Sequence, residues 1–340
     1  MQKGIIKLKN KPFISYAAAV GGEHEHDGPL GDLLDFHDRK NEFFSDTWEK
    51  AEAEMQRMTL ELALKKGNYE PCDIDALFAG DLMNQCTSSA YGLLSYDIPF
   101  CGLYGACSTA AESILLASMC VNAGYFNRAA AVTSSHNGAA ERQFRFPLEY
   151  GSQRAPTSQW TVTGAGAFII ERENEGLYGA RVEDVMLGRT VDHGISDANN
   201  MGAAMAPAAA DTIVRYLDES GRSPDDIPLI ATGDLGYEGH SILLELVRNK
   251  GYDISKVCTD CGILIYNQST QDVHSGGSGC GCSAVTLACH LLRKIAKCEI
   301  DDLLFVGTGA LMSPDALKQG RTIPGVAHLV HIVSDKKEDA

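Results

Sequence analysis

The chain carries two copies of one sequence pattern, and this repeat restricts its fold more than any other feature does. Residues 73–82 (DIDALFAGDL) and 226–235 (DIPLIATGDL) both predict a buried strand that ends in Gly-Asp-Leu. Residues 105–135 align with 281–310, so each copy continues as a turn, a helix and a second apolar strand. Two related halves with alternating strands and helices predict an α/β fold with parallel strands and a pseudo-two-fold axis.

The repeat also predicts how the chain is divided. We expect a first half over residues 1–175 and a second half over residues 176–340. The region between the two repeat copies contains a Met- and Ala-rich helix, NMGAAMAPAAADTIVRYLDESG, and Pro207 is expected either inside this helix or at its start.

A cysteine stands directly before a predicted helix in the first half. Residues 98–107 (IPFCGLYGAC) predict a buried strand. The spacing of apolar residues then changes to that of a helix, which is predicted to end near Gly124. Thr109 and Glu112 have the spacing of a capping box. Cys107 is therefore expected near the positive end of the helix dipole, which favours the thiolate. An inert, buried cysteine is an equally good interpretation of this position.

Charge and cysteine content exclude several classes of partner. The formal net charge of −16 argues against nucleic acid or an anionic membrane surface as the main partner. Eleven cysteines without a disulfide-like framework favour a reducing cytosol. No run of 18 apolar residues occurs, and the basic and apolar start of the chain is interpreted as a first β-strand rather than a signal peptide.

Longer motifs carry a resemblance to a known family. They are GDLMNQ at 80–85, GACST at 105–109, TSSHNGAAERQFRFPLEYGSQRAPTSQWTVTGAGA at 133–167, MGAAMAPAAADT at 201–212, TDCGILIY at 259–266 and GGSGCGCSAV at 276–285. The GACS turn resembles that of the thiolase superfold and its type III ketoacyl synthases. Together, the motifs resemble the stage V sporulation protein AD family over almost the whole chain. The resemblance implies a thiolase-like fold, with two βαβ halves in a layered α-β-α-β-α core. It also implies a homodimer that pairs edge strands of the first halves.

The resemblance also shows where the chain departs from a condensing enzyme. In those enzymes the cysteine works with a His and with a second His or Asn from the second half, which stabilise an oxyanion. Here Asp234 stands at the first of these positions, and the second falls in GGSGCGCSA, which has neither His nor Asn. An ionised aspartate donates no hydrogen bond, and its charge raises the pKa of a nearby thiol. The pattern is that of a condensing-enzyme scaffold reused for binding.

Membership of such a family implies a role in sporulation and spore germination. The implied role is non-catalytic binding of dipicolinic acid, which is moved with its calcium into the developing spore. The implied partners are membrane proteins of the same sporulation system, and nucleic acid is not among them. The implied location is the cytoplasmic side of the spore inner membrane, as a peripheral protein. No cofactor is implied, although calcium is expected to accompany the ligand.

Dipicolinate is a flat ring with two carboxylates, so its site needs hydrogen-bond donors, positive charge and apolar walls. The predicted ligand-binding residues are Asp81, Cys107, Ser134, Ser135, His136, Arg142 and Asp234. Arg142 is preferred to Arg145 and Arg154 because it is nearest in sequence to the SSHN segment. Its guanidinium, paired with a carboxylate through two hydrogen bonds, is expected to be the strongest single contact.

The two aspartates allow more than one interpretation. Beside an anion, Asp81 and Asp234 can accept hydrogen bonds from an arginine or from protonated His136 and so orient these groups. They can also hold calcium together with the ligand, because oxygen donors suit that ion. A third interpretation is that both residues cap turns at strand ends, as Asp commonly does.

Two other functions compete with the binding-protein prediction. The first is an active condensing or acyl-transfer enzyme that loads Cys107 and recruits His136, His240 or His274 as base. The second is a purely structural scaffold for the membrane partners. A zinc site in Cys258-x-x-Cys261 and the later C-x-C pair is not predicted, since that second pair lies in a glycine-rich turn before a helix.

Overall fold

The structure is a computed structural model that describes residues 4–144, 153–173 and 176–335. Its strands are β1 (Ile5–Lys7), β2 (Phe13–Gly22), β3 (Phe36–Asp38), β4 (Ala76–Gly80), β5 (Phe100–Leu103), β6 (Arg128–Ser135), β7 (Trp160–Thr161), β8 (Gly164–Glu171), β9 (Ala180–Met186), β10 (Leu229–Thr232), β11 (Cys258–Asp260), β12 (Gly277–Ser278), β13 (Asp302–Ala310) and β14 (Gly325–Ser334). Its helices are α1 (Glu23–His26), α2 (Trp48–Gly67), α3 (Thr87–Gly92), α4 (Thr109–Ala123), α5 (Asn137–Phe144), α6 (Met201–Ser220), α7 (Gly236–Arg248), α8 (Cys261–Leu264), α9 (Cys280–Thr286), α10 (Leu292–Ala296) and α11 (Pro314–Lys318).

The sheet confirms the repeat. Its main path runs β11-β10-β13-β14-β9-β2-β8-β6-β4-β5, so each half contributes five strands in equivalent order and the halves meet where β2 pairs with β9. β4 is parallel to β5 and β6, just as β10 is parallel to β11 and β13. Along the main path, the prediction of parallel strands holds for these three strands of each half. On the same path β8 and β2, like β14 and β9, run antiparallel to their neighbours.

The predicted layers are also present. α4 packs against β4, β6 and β8 of the first half and against β13 and β14 of the second, so it lies between the two five-stranded groups. α9 packs on β6 and β8, and it continues through a π-helical turn into α10. α2 covers the outer face of the first half, and α6 covers that of the second. The division at residue 175 stays a prediction.

The central helix α4 ends where the sequence indicates. Ile114 and Leu115 are fully buried, and Gly124 closes the helix in a left-handed conformation (φ 78°) that suits glycine. The predicted capping box is wrong. Thr109 is the first helical residue, and its hydroxyl accepts from the Gly105 amide instead of capping the helix. Burial raises the pKa of the Glu112 carboxyl above its ordinary range.

The strand before Cys107 was predicted to be buried, and this is wrong for most of it. Among the described strands, β5 is the last on its side of the sheet and pairs only with β4. Phe100, Cys101 and Gly102 are consequently exposed, and only Leu103 is buried. Apolar sequence alone does not distinguish an edge strand from a central one.

Two further helices bear on the predictions. Pro207 lies inside α6, in agreement with one of the two interpretations of that segment. Among the described residues, only 106–123 is long and apolar enough to cross a membrane. That stretch contains α4, the buried central helix of the fold, so its apolar character is explained by packing between the two halves.

Candidate ligand-binding site

A cleft of about 360 Å³ opens above the start of α4, and it is called the Cys107 cleft below. Residues of both halves line it: Leu82, Asn84, Tyr104, Ala106, Cys107, Ala140, Glu141, Phe144, Thr161, Ala198, Asn199, Met201, Ser278, Ala310, Leu311, Met312, Ser313 and Pro314. Most of these side chains are apolar. Of the described lining residues, Glu141 is the one with a charged side chain, and none is Lys, Arg or His.

Cys107 lies at the wall of this cleft, with 5% of its surface exposed. The residue before it, Ala106, has a left-handed backbone (φ 52°), which is unfavourable for a residue with a side chain. This turn presents the thiol to the cleft at the beginning of the short helical turn that leads into α4. A strained backbone beside a cysteine is an arrangement that active sites often maintain.

The carboxylate of Asp234 lies close enough to the Cys107 thiol for its charge to act on the thiol. Asp234 is fully buried and accepts from the Gly279 amide at 2.8 Å, the Ser278 hydroxyl at 3.1 Å and the Thr308 hydroxyl at 2.8 Å. Gly279 reaches it with φ 105°, a conformation that side chains disfavour. The two positions that the resemblance paired with the cysteine, Asp234 and the GGSGCGCSA loop, therefore converge on Cys107.

This arrangement overturns the expected pKa of the thiol. Burial and the charge of Asp234 raise the pKa of Cys107 well above its ordinary range, and neighbouring Cys280 adds to the effect. The helix dipole was expected to lower it, but desolvation and a buried carboxylate outweigh a partial charge at a helix end. Burial likewise raises the pKa of Asp234, although its hydrogen bonds oppose this. The thiol is therefore held in its protonated form.

Asp81 has a different environment from Asp234. One carboxylate oxygen accepts from the Met83 amide at 2.8 Å, and the other accepts from the amide and hydroxyl of Ser89 at 2.8 and 2.7 Å. Asp81 is fully buried and does not line the Cys107 cleft. Of the three interpretations of this residue, its contacts fit the one in which the aspartate caps a turn at the end of a strand.

The structure places Ser134 and Ser135 behind the cleft, not in it. The Ser134 hydroxyl donates to Glu52 at 2.9 Å, and the Ser135 hydroxyl donates to the Val162 carbonyl at 2.7 Å. Both serines are fully buried. Glu52 is a buried carboxylate that the sequence did not indicate, and burial together with the charge of Asp81 raises its pKa well above the ordinary range.

His136 and Arg142 also lie away from the Cys107 cleft. His136 donates from Nε2 to the Asn41 carbonyl at 2.8 Å, and burial lowers its pKa, so the predicted protonated imidazole is not favoured. It lines a separate pocket. The Arg142 guanidinium pairs with Glu49, and half of its side chain is exposed. Arg142 is therefore engaged in the surface salt bridge that was the alternative to ligand contact.

Of the two other arginines, Arg154 does not line the described part of the cleft. The Arg154 guanidinium binds Asp272 at 2.8 Å and lies 4.9 Å from the centroid of the Trp160 ring. Arg145 lies outside the described residues. Cys107 is the one predicted ligand-binding residue that lines the cleft, and Asp234 reaches it through the thiol.

Several residues of the site were missed. Ser278 and Gly279 lie inside the quoted glycine-rich motif, so their proximity to Asp234 had a signal in the sequence. Phe144, Met201 and Met312 form cleft walls, but they come from distant segments with no shared pattern. In the described part of the chain, no cluster of three or more His, Cys, Asp or Glu side chains has the geometry to hold a metal ion.

Solved structures with the same fold define the class of the protein. 3-Oxoacyl-[acyl-carrier-protein] synthase III from Aquifex aeolicus VF5 matches with a TM-score of 0.57 at 11% identity, over 94% of this chain and 99% of its own. Cerulenin-bound OleA from Xanthomonas campestris matches with a TM-score of 0.59 at 13% identity, over 95% of this chain and 96% of its own. The same synthase from Xanthomonas oryzae pv. oryzae matches with a TM-score of 0.59 at 12% identity, over 96% and 100%. The chain is therefore a thiolase-like α/β protein.

Sequence comparison then identifies the family within that class. The profile of Stage V sporulation protein AD matches residues 2–333. Stage V sporulation protein AD of Bacillus subtilis (strain 168) is 42% identical over 316 residues, which cover 93% of this chain and 92% of that protein. The chain belongs to the stage V sporulation protein AD family, a family of sporulation proteins.

Proposed function

We propose that this chain is a non-catalytic binding protein whose Cys107 cleft takes dipicolinate, and that it acts in the uptake of dipicolinate with calcium into the developing spore. The observation that carries the non-catalytic part is the position of the buried Asp234 carboxylate beside the Cys107 thiol. A nucleophilic cysteine must be a thiolate. An adjacent carboxylate and the low solvent exposure of the thiol both oppose that state.

The cleft supports the binding part of the proposal. Its volume of about 360 Å³ falls within the range of small-molecule sites, which begins at about 300 Å³. Its walls are largely apolar, and Asn84, Thr161 and Ser278 supply polar groups at defined places. Apolar walls with a few fixed polar groups suit a flat aromatic acid.

The charge of the cleft favours calcium as a companion of the ligand. Glu141 lines the described part of the cleft and Asp234 lies directly behind Cys107, whereas no described lining residue is cationic. A bare dianion is repelled by such a field. The one-to-one complex of dipicolinate with calcium is neutral, and its metal accepts further oxygen ligands. The proposal therefore assigns the calcium complex, rather than the free dianion, to the Cys107 cleft.

The test is a calorimetric titration of the purified protein with dipicolinate, with and without calcium. Isophthalate serves as the ligand control, because it keeps both carboxylates but lacks the pyridine nitrogen that chelates the metal. We expect saturable binding that is tighter with calcium and that isophthalate does not reproduce. The absence of saturable heat in both conditions would overturn the proposal.

Two variants locate the binding in the Cys107 cleft. Thr161→Val removes a cleft hydroxyl and keeps the side-chain shape, so we expect dipicolinate affinity to fall about 5-fold, as for one lost hydrogen bond. Thr133→Val is the matched control, since Thr133 is buried on β6 outside the cleft lining. Glu141→Gln is expected to reduce the gain in affinity that calcium gives. Equal affinity in all three variants would place the ligand elsewhere.

An acyl-transfer enzyme remains the second candidate because the strained Ala106–Cys107 turn lies at a cleft in a fold shared with synthases. The three histidines considered as its base do not line the described cleft. His274 lies against Asp272 at 3.1 Å, and burial lowers the pKa of His240. Incubation with a coenzyme A thioester followed by mass spectrometry tests it. An acyl adduct that is lost in Cys107→Ala would establish the enzyme and reject our proposal.

The predicted homodimer is proposed through β5. Phe100 is 44% exposed on this edge strand, and Tyr104 just after it is 50% exposed. Pairing β5 with its copy covers both the open hydrogen-bonding edge and these aromatic rings. Light scattering tests this: we expect a dimer for the natural chain and a monomer for Phe100→Lys. Association with membrane partners, on the cytoplasmic side of the spore inner membrane, is part of the same proposal and rests on the family.

A further inference from the structure

A second pocket, of about 190 Å³, lies between the α1 turn and the starts of α2 and α5. Trp48 and Trp160, the two tryptophans of the entire chain, both line it, so it is called the two-tryptophan pocket. It has no lining residue in common with the Cys107 cleft. Neither the sequence patterns nor the proposed function accounts for it.

The walls of the two-tryptophan pocket are two stacked ring pairs. The His24 and Trp160 rings lie 4.7 Å apart at an angle of 16°, and the Trp48 and His136 rings lie 5.3 Å apart at 28°. Gly138 lets the Trp48 indole lie flat against the start of α5, because a Cβ there would come within 2.8 Å of the indole. Flat, supported aromatic walls favour a planar guest.

The lining of this pocket offers a guest more hydrogen-bond donors than free acceptors. The Glu25 carboxylate already accepts from the Gly22 and Thr163 amides, each at 3.1 Å, and from the Tyr266 hydroxyl. By contrast, Trp48 and Trp160 each bring to the lining an indole N–H, a group that donates a hydrogen bond and cannot accept one. A guest that supplies acceptors is therefore favoured over one that supplies donors.

A buried arginine, Arg154, lies behind the wall that Trp160 forms. The Arg154 side chain is 9% exposed, and its guanidinium lies 4.9 Å from the centroid of the Trp160 ring. Its Nη2 binds Asp272, whereas its Nη1 is buried and has no hydrogen-bond partner in the described part of the chain. Its charge is paired with Asp272, so Arg154 offers on this side of the pocket an N–H donor that has no partner among the described residues.

We infer that the two-tryptophan pocket binds a planar, single-ring aromatic carboxylate. The stacked walls take the ring, and the indole N–H groups donate to the carboxylate. The volume is below the roughly 300 Å³ at which sites for larger ligands begin, which limits the guest to one ring. The inference concerns a pocket other than the Cys107 cleft and does not rest on the proposed function.

The experiment uses the tryptophans as reporters. The full chain is titrated with benzoate, with dipicolinate and with benzamidine, a cation of the same shape, and indole fluorescence is excited at the red edge of its absorption. Trp48→Phe and Trp160→Phe each leave one reporter. We expect both single-tryptophan variants to respond saturably to the carboxylates and not to benzamidine. A response to benzamidine alone would overturn the inference.

Affinity is measured on the same variants by calorimetry. Trp48→Phe keeps a ring but loses one N–H, so a 2- to 10-fold weaker affinity for benzoate is expected, equivalent to roughly one hydrogen bond. Trp48→Ala, at a residue that is 40% exposed, removes the wall and is expected to abolish binding. Tyr125→Ala, at a residue that is 80% exposed outside both pockets, is the matched control. Equal benzoate affinity in Trp48→Ala and the control would overturn the inference.

These tests distinguish failure of the proposal for the Cys107 cleft from failure of the inference for the two-tryptophan pocket. Thr161→Val changes the Cys107 cleft, whereas Trp48→Ala changes the two-tryptophan pocket. Loss of the calcium-dependent binding in Thr161→Val alone would leave the two-tryptophan pocket unaffected. Loss of the fluorescence response in Trp48→Ala alone would leave the proposed function unaffected. Two dipicolinate molecules per chain, one bound more weakly in Thr161→Val and the other lost in Trp48→Ala, would establish both sites.

Discussion

The two halves of the chain each end an inner strand in Gly-Asp-Leu, but their aspartates have different environments. Asp81 accepts hydrogen bonds from Met83 and Ser89, which are two and eight residues away. Asp234 accepts from Ser278 and Thr308, which are 44 and 74 residues away, and it lies beside the Cys107 thiol of the other half. The first aspartate completes a local turn, whereas the second holds together the elements around a cleft. A repeated motif thus retains its place in the fold while its chemical role diverges.

Removing each aspartate is the strongest test of this contrast. Each unsatisfied buried donor costs about 1–3 kcal/mol, so we expect Asp234→Ala to lower the free energy of unfolding by about 4 kcal/mol and Asp81→Ala by about 2 kcal/mol. Both carboxylates accept three hydrogen bonds, but the donors of Asp234 come from separate elements that cannot relax together, whereas those of Asp81 lie within one local turn. Urea denaturation measures both values. A larger loss in Asp81→Ala would contradict the assignment of the long-range role to Asp234.

A pH titration extends the comparison to ion pairs at another pair of equivalent positions in the two halves. In the first half Arg128 pairs with Glu171 at 2.7 Å, whereas in the second half His331 lies between Asp184 and Asp302 at 3.2 and 3.1 Å. The two carboxylates raise the pKa of His331 from 6.5 to about 9, although burial opposes this.

A raised folded-state pKa means that the stabilisation of the fold by His331 is complete below pH 6.5 and is lost as the pH rises through about 9. The expected loss is about 3 kcal/mol between these limits, because a tenfold change in proton affinity is equivalent to roughly 1.4 kcal/mol. Denaturation at a series of pH values measures it. His331→Gln should flatten the dependence over this range, and Arg128→Gln should not, because an arginine keeps its charge there. An unchanged slope in His331→Gln would reject this account.

The smallest effect concerns the reactivity of the cysteine. Asp234 is the nearest charge that raises the pKa of Cys107, so Asp234→Asn is expected to lower this pKa and speed alkylation of the thiol about 10-fold, through a correspondingly larger thiolate fraction. Iodoacetamide labelling followed by peptide mass spectrometry resolves residue 107 from the exposed Cys72, Cys101 and Cys298. Asp81→Asn is the matched control and should leave the rate unchanged. Equal rates in both variants would show that burial alone controls the thiol.

Much of the architecture followed from the sequence because it depends on local pattern. The strand at 76–80, the helix that ends before Gly124 and the repeat of both in the second half were predicted from apolar period and a glycine stop. The exposure of β5 was not predictable, since a strand becomes an edge only when no further strand pairs with it. The antiparallel direction of β8 likewise depends on where its neighbours lie.

The candidate site was predicted less completely. Cys107, Asp234 and the glycine-rich loop were identified by position in the repeat and by resemblance, and the structure brings them together. Arg142 and His136 were chosen because they follow β6 in sequence, but the turn after β6 directs them toward Glu49 and Asn41 instead. Sequence distance is a poor guide to which face of a sheet edge a side chain occupies.

The sequence by itself determined the duplicated α/β framework, the place of the cysteine before the central helix and the loss of the histidines expected beside it. These features depend on residue type and on spacing along one strand or helix. The tertiary structure alone decided the protonation of Cys107, the walls of its cleft and the meeting of Trp48 with Trp160. Such properties arise from desolvation and from contacts between distant segments, and their free energies depend on neighbours that only folding supplies.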